Sequence, residues 1–242
     1  MKILKSAGRF EILTSKEELQ EQFLRIERAG RTCYQSEKKE VTLESAEKFV
    51  RMILKRGHES VLEHSSLIVK FFEVSRGFTH ELVRHRLCGF SQESTRYVDY
   101  AKEGVGPDLD KFQLRCVVPP HRDENEKVKL EDGREMSAAE MLVEIEKFYR
   151  GLRKGGWLPE DARQLLPQAI KADIVVSTNF REWRHIFELR TQQPAHWEIR
   201  EVLGNLLVEL KGILPVIFED FQEAGADSNG LRYFQKKKVG DK

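Results

Sequence analysis

Leu82-Val83-Arg84-His85-Arg86-Leu87-Cys88-Gly89-Phe90-Ser91-Gln92-Glu93-Ser94-Thr95-Arg96-Tyr97 sets two arginines around a histidine and follows them, eight positions after Arg86, with Ser94 in a hydroxyl-rich loop. Guanidinium groups grip phosphate through paired hydrogen bonds, and serine hydroxyls with loop amides complete such an anion site. The stretch therefore suits a phosphorylated ligand. An isolated basic tripeptide is more often a solvated helix face. The pattern from Phe78 to Leu87 reads as a helix, which would carry Arg84-His85-Arg86.

Working towards the N-terminus, Ser66 to Val74 is β-prone, and His58-Glu59-Ser60-Val61-Leu62-Glu63-His64 crowds four titratable side chains just before it. Thr42 caps a helix whose apolar positions Ala46, Phe49, Val50, Ile53 and Leu54 recur at helical spacing up to Gly57. Arg9 to Leu13 reads as a short strand, and Ser15 to Glu18 has capping-box spacing for a helix to about Arg28, ended by Gly30.

On the C-terminal side, Gly104 to Asp110 and His121 to Gly133 read as loops flanking a strand from Phe112 to Val118. Ser137 opens a long helix with Met141, Leu142, Ile145, Phe148, Tyr149 and Leu152 as its stripe, stopped by Gly155-Gly156. Pro159 starts a helical turn, Ala172 to Ser177 is a strand, Asn179 caps a helix to about Arg190, and Trp197 to Leu214 is another helix. The tail from Ala226 to 242 is polar, and Lys236-Lys237-Lys238 reads as a frayed, solvated end.

Strands and long helices without regular alternation predict an α+β fold with a mixed sheet, in a single domain over 1–242. The absence of a Gly-x-Gly-x-x-Gly turn excludes the usual dinucleotide-binding crossover. Lys and Arg total 41 against 40 for Asp and Glu, so no overall field draws the chain to nucleic acid or an anionic membrane. No apolar run approaches a membrane span, and Met1 to Ser6 lacks a signal-peptide core; a cytoplasmic location is expected. Cys33, Cys88 and Cys116 have neither disulfide nor zinc spacing, and His58-Glu59 fails as a zincin helix because the fifth position is Leu62; no metal is expected.

The spacing of Arg84-His85-Arg86 and Ser94 resembles the signature of the flavin-dependent thymidylate synthases. Other segments resemble that family in the same order: Arg31-Thr32-Cys33-Tyr34, Gly57 to His64, Ala162-Arg163-Gln164-Leu165-Leu166-Pro167, Asn179-Phe180-Arg181-Glu182-Trp183, Leu189-Arg190, and Ala195-His196-Trp197-Glu198-Ile199-Arg200. The resemblance implies methylation of dUMP to dTMP with FAD, a methylenetetrahydrofolate donor and NADPH, in a homotetramer with sites between subunits. Ser60, Arg84, His85, Arg86, Gln92, Asn179, Phe180, Arg181 and His185 are then the flavin contacts. Glu81, Leu82, Val83, Arg84, Gln92, Glu93, Ser94, Thr95, Arg96, Arg163 and Arg190 are the dUMP contacts, with Arg190 the catalytic residue that favours ionisation of the uracil. A guanidinium stays charged at any working pH, so Arg190 can stabilise developing negative charge without acting as an acid. No cysteine nucleophile is implied. Thr95, Pro194, His196 and Glu81 depart from residues frequent in the family: glycine, histidine, glutamine and glutamine. The rival class is a nucleic-acid-binding protein using Arg84, Arg86, Arg96 and the lysine tail, which the balanced charge disfavours.

Overall fold

The computed structural model describes residues 1–33, 35–36, 40–102 and 113–237. Its elements run β1 (Lys2–Leu4), β2 (Arg9–Ile12), α1 (Lys16–Cys33), α2 (Leu43–Lys55), a 3-10 segment (Glu59–His64), β3 (Leu67–Ser75), α3 (Arg76–Leu82) and β4 (Gly89–Gln92). There follow β5 (Arg115–Val117), β6 (Lys127–Lys129), β7 (Glu135–Ser137), α4 (Ala138–Lys154), α5 (Pro159–Ala162), a 3-10 turn (Arg163–Leu165) and β8 (Lys171–Thr178). The chain ends in α6 (Phe180–Arg190), α7 (Trp197–Ile213), α8 (Pro215–Phe218), β9 (Phe221–Ala226) and β10 (Arg232–Lys236). The expected α+β class holds, with the main sheet ordered β2-β3-β8-β4. Gly104 to Phe112 and Tyr34, which carried some of the sequence readings, lie outside the described residues, as does Lys238.

The chain divides into two compact units, each assembled from three stretches. The first comprises Met1–Arg9, Phe72–Glu81 and Gln92–Ile174. Here β1 pairs in parallel with β5, and a core of Tyr100, Leu114, Cys116, Val118, Leu142, Tyr149, Ala162 and Ile170 gathers against α4. Ser137 caps α4 in a reciprocal box with Glu140, as its spacing predicts. The interval His121 to Gly133, read as loop, contains β6, which pairs antiparallel with β7. Both faces of β6 are exposed, so no apolar alternation announces it. Only the Asp132-Gly133 turn, with Gly133 at φ 85°, marks the hairpin.

The second unit comprises Phe10–Phe71, Leu82–Ser91 and Val175–Lys242. Ser15 and Glu18 form the expected capping box. The helix they open nevertheless runs past Gly30 to Cys33. Gly30 is buried beneath Phe49 of α2, and a Cβ there would stand 2.2 Å from the ring. The glycine serves close helix approach and not termination. The tail also differs from expectation: β9 and β10 form an antiparallel hairpin, with Phe234 buried against Gly204 of α7. A buried aromatic among many charges anchors it. Trp183 and Phe187 of α6 stack at 5.7 Å, and Phe187 meets Phe218 and Phe221 edge-on, so α6 is embedded in the core of this unit.

Candidate functional site

Helix α3 stops at Leu82, so Arg84-His85-Arg86 lies in a turn and not on the expected helix. The amide of His85 donates to the carbonyl of Leu82 at 3.1 Å, and the hydroxyl of Thr178 donates to the carbonyl of Leu87 at 2.7 Å. Gly89 then lets the chain pass Ser177, whose hydroxyl would lie 2.8 Å from a Cβ. The change has a chemical result. Residues two apart on a helix point to different sides, whereas in this turn Arg84 and Arg86 are both exposed and His85 is buried between them.

Helix α6 supplies the partners of that histidine. The Asn179 side chain accepts from the Glu182 amide at 2.9 Å and caps the helix, while Arg190 occupies its last turn, where a cation suits the helix dipole. Arg190 Nε donates to His85 Nε2 at 3.1 Å. A guanidinium cannot accept, so Nε2 is the bare nitrogen and the proton of the neutral ring sits on Nδ1. Nδ1 lies 3.4 Å from Glu182 Oε1. Burial, and then the neighbouring Arg190 and His185, push His85 down to about 4. Burial pushes the Glu182 carboxyl up.

This neutral imidazole carries a stability consequence. Because the folded ring resists a proton that the unfolded chain accepts near 6.5, its contribution is complete above that value and erodes as pH falls from about 6.5 towards about 4. The loss should approach about 3 kcal/mol, with Glu182 opposing it in part. Urea unfolding at pH 7.5 and pH 5 measures it, and His85→Gln should flatten the difference. An equal pH dependence in that variant would remove His85 as the source.

Ligand atoms of His85, Glu182 and His185 lie within 4.8 Å of one another, the spacing of a metal site. His85 Nε2 already accepts from Arg190, and that guanidinium would repel a divalent ion from the same ring. The cluster is read as an electrostatic one, built around the hydrogen bond from Arg190 to His85.

A cleft of about 550 Å³ opens beside it, lined among others by Leu87, Asn179, Arg181, His185, Glu188 and Lys236. Its wall is held by Arg184, whose guanidinium is buried. Nη1 and Nη2 take the Asp220 carboxylate at 2.8 and 2.6 Å, Nη2 reaches Glu59 at 3.3 Å, and Nη1 also binds the carbonyl of Ile217. Lys236, expected in a solvated tail, joins Glu59 at 3.2 Å and Glu188 at 3.6 Å. Arg181 pairs with Glu63, and Ser60 is exposed on the 3-10 segment. Leu82 and Phe180 are wholly buried, backbone included, and so present no surface to a ligand here; Val83 is exposed.

In the first unit, Gln92 to Arg96 form an internally braced loop. Gln92 Nε2 donates to the Thr79 hydroxyl at 2.8 Å, and the Glu93 carboxylate takes Lys171 Nζ at 2.7 Å and the Asp173 amide at 3.2 Å. Ser94 Oγ accepts from the Arg96 amide at 3.3 Å, and Arg96 pairs with Glu160 at 3.1 Å. Arg163 Nη1 donates to the Thr95 hydroxyl at 3.2 Å, so the threonine that stands in place of a frequent glycine gives that arginine a partner. Glu81, the other carboxylate expected at the nucleotide, is half-buried.

Sequence reasoning gave no role to Glu182, Arg184, Glu59 or Lys236. Glu182 had a signal: it stands three residues before His185 on the same helix, the spacing of facing side chains.

The fold is shared with solved structures from two organisms. It matches a UMP/dUMP methylase PolB from Streptomyces cacaoi bound with 5-Br dUMP, with TM-score 0.66 and 20% identity over 90% of this chain and 96% of that one. It also matches a flavin-dependent thymidylate synthase from Helicobacter pylori complexed with FAD and dUMP, with TM-score 0.64 and 23% identity over 82% and 94%. The thymidylate synthase complementing protein family model matches residues 16–216, and the chain belongs to that family. A flavin-dependent thymidylate synthase of Geobacter sulfurreducens is 35% identical over 197 residues, covering 79% of this chain and 78% of the relative.

Proposed function

We propose that the chain is a flavin-dependent thymidylate synthase, methylating dUMP to dTMP with FAD bound, methylenetetrahydrofolate as donor and NADPH as reductant. The observation that carries this reading is the Arg190 guanidinium held on a buried, neutral His85. Such an arginine fixes positive charge in place before any ligand arrives, which is what stabilising a pyrimidine anion requires.

The residues of the cleft fit a flavin. Its volume lies in the range of cofactor pockets, and Asn179, Arg181 and His185, implied as flavin contacts, line it together. Exposed Arg84 and Arg86 add cationic groups for a diphosphate. Bound FAD supplies the hydride chemistry. The protein contributes charge and orientation: Arg190 faces the uracil edge, His85 holds it there without adding a competing charge, and the Gln92–Arg96 loop with Arg163 receives the nucleotide. A homotetramer is supported by apolar side chains left exposed on the first unit, with Phe148 59%, Leu158 56% and Leu165 48% exposed. A cytoplasmic enzyme accords with three free thiols and with no described helix long and apolar enough to cross a membrane.

A flavin absorption spectrum of purified protein, with tritium release from C5-labelled dUMP dependent on folate and reduced nicotinamide, tests the assignment. Colourless protein with salt-sensitive nucleic-acid binding would overturn it. Ser94→Ala should weaken dUMP binding by about 1 to 3 kcal/mol, measured by titration of the flavin spectrum. Unchanged affinity removes Ser94 from the pocket.

A further inference from the structure

We propose that Glu182 is a positioning residue for this reaction, acting through His85 on Arg190. The inference rests on the reading of Arg190 as the residue that meets the pyrimidine. A neutral imidazole has two tautomers, and only one offers a lone pair at Nε2. The other would aim an N–H of the ring at the Nε–H of Arg190, replacing a hydrogen bond with a repulsion and displacing the guanidinium from its present orientation.

Two features of the structure select the useful tautomer. Arg190 Nε stands 3.1 Å from Nε2, and Glu182 Oε1 stands 3.4 Å from Nδ1 on the opposite edge of the ring. The side chains of His85 and Glu182 are 4% and 9% exposed, so the carboxylate beside Nδ1 is largely shielded even though Glu182 also lines the cleft. Glu182 and Arg190 belong to one helix, eight residues and about 12 Å of rise apart. Their long side chains converge on the histidine from either end, so one ring links helix and turn. The Glu182 carboxylate also feels the nearby His185 and Arg181, and its amide is already used by Asn179. Its carboxylate thus faces the imidazole at the cost of burial, which is the arrangement that orients histidines in other sites through a carboxylate behind the ring.

The test uses the flavin-loaded protein labelled with 15N-histidine. In the wild type, His85 should show a protonated Nδ1 and a bare Nε2. Glu182→Ala should give mixed tautomers and lower turnover about 10- to 100-fold, the usual effect of losing such a supporting partner, with flavin still bound. Glu182→Gln keeps an acceptor oxygen without the charge and should retain the tautomer and most of the turnover. Flavin absorbance and thermal midpoint check that each variant is folded. The proposal is overturned if Glu182→Ala keeps the single tautomer, whether or not turnover falls, or if Glu182→Gln behaves as the alanine variant does. Failure of the functional reading looks different: the wild type would make no dTMP while its His85 tautomer could still be read.

Discussion

Arg190→Ala should lower dTMP formation by about 100- to 1000-fold, the effect of removing one preorganised donor from a developing anion. Flavin should remain bound, because Asn179, Arg181 and His185 line the cleft without it. The variant also leaves Nε2 of a buried His85 without its donor, so part of the loss comes from the ring and part from the missing charge. Single-turnover kinetics with dUMP saturating separates this from weakened binding, since a residue acting in the transition state lowers the rate even when substrate is bound. Turnover within a few-fold of wild type would sink the assignment.

The largest effect on stability is expected from Asp220→Ala, at about 3 kcal/mol. Arg184 is 2% exposed, and Asp220 takes both of its terminal nitrogens. Without that carboxylate a buried cation retains Glu59 at 3.3 Å, the Ile217 carbonyl and the face of the Phe221 ring at 5.4 Å. Asp220 itself is 30% exposed, which places the cost at the lower end of the range for broken buried pairs. Glu59→Ala should cost less, because the Asp220 pair survives it. Urea unfolding at neutral pH measures both, and equal losses would show that the pairs with Asp220 and Glu59 contribute alike.

Much of this architecture was legible before any coordinates. Thr42, Ser137 and Asn179 announce their helices because a cap is a local hydrogen bond between residues close in sequence. Misreadings arose where a distant partner decided the outcome. Gly30 looked like a stop until Phe49 gave it a packing role, and the polar tail looked frayed until Phe234 found Gly204. The end of α3 was missed because apolar spacing continues through Leu87, while the turn depends on Thr178, 91 residues beyond Leu87, and on its neighbour Ser177. At the site, family-like segments brought out His85 and Arg190 separately. Their mutual contact, and the carboxylate of Glu182 behind it, are long-range geometry that no motif spacing encodes.

The backbone passes between its two units five times, at positions 9–10, 71–72, 81–82, 91–92 and 174–175. Neither unit can therefore be excised as one continuous gene fragment. Severing the peptide at a single bond between Phe10 and Ile174 would leave both halves of the cut contributing pieces to each body, so complementation between coexpressed fragments, and not independent expression, is the natural way to dissect this enzyme.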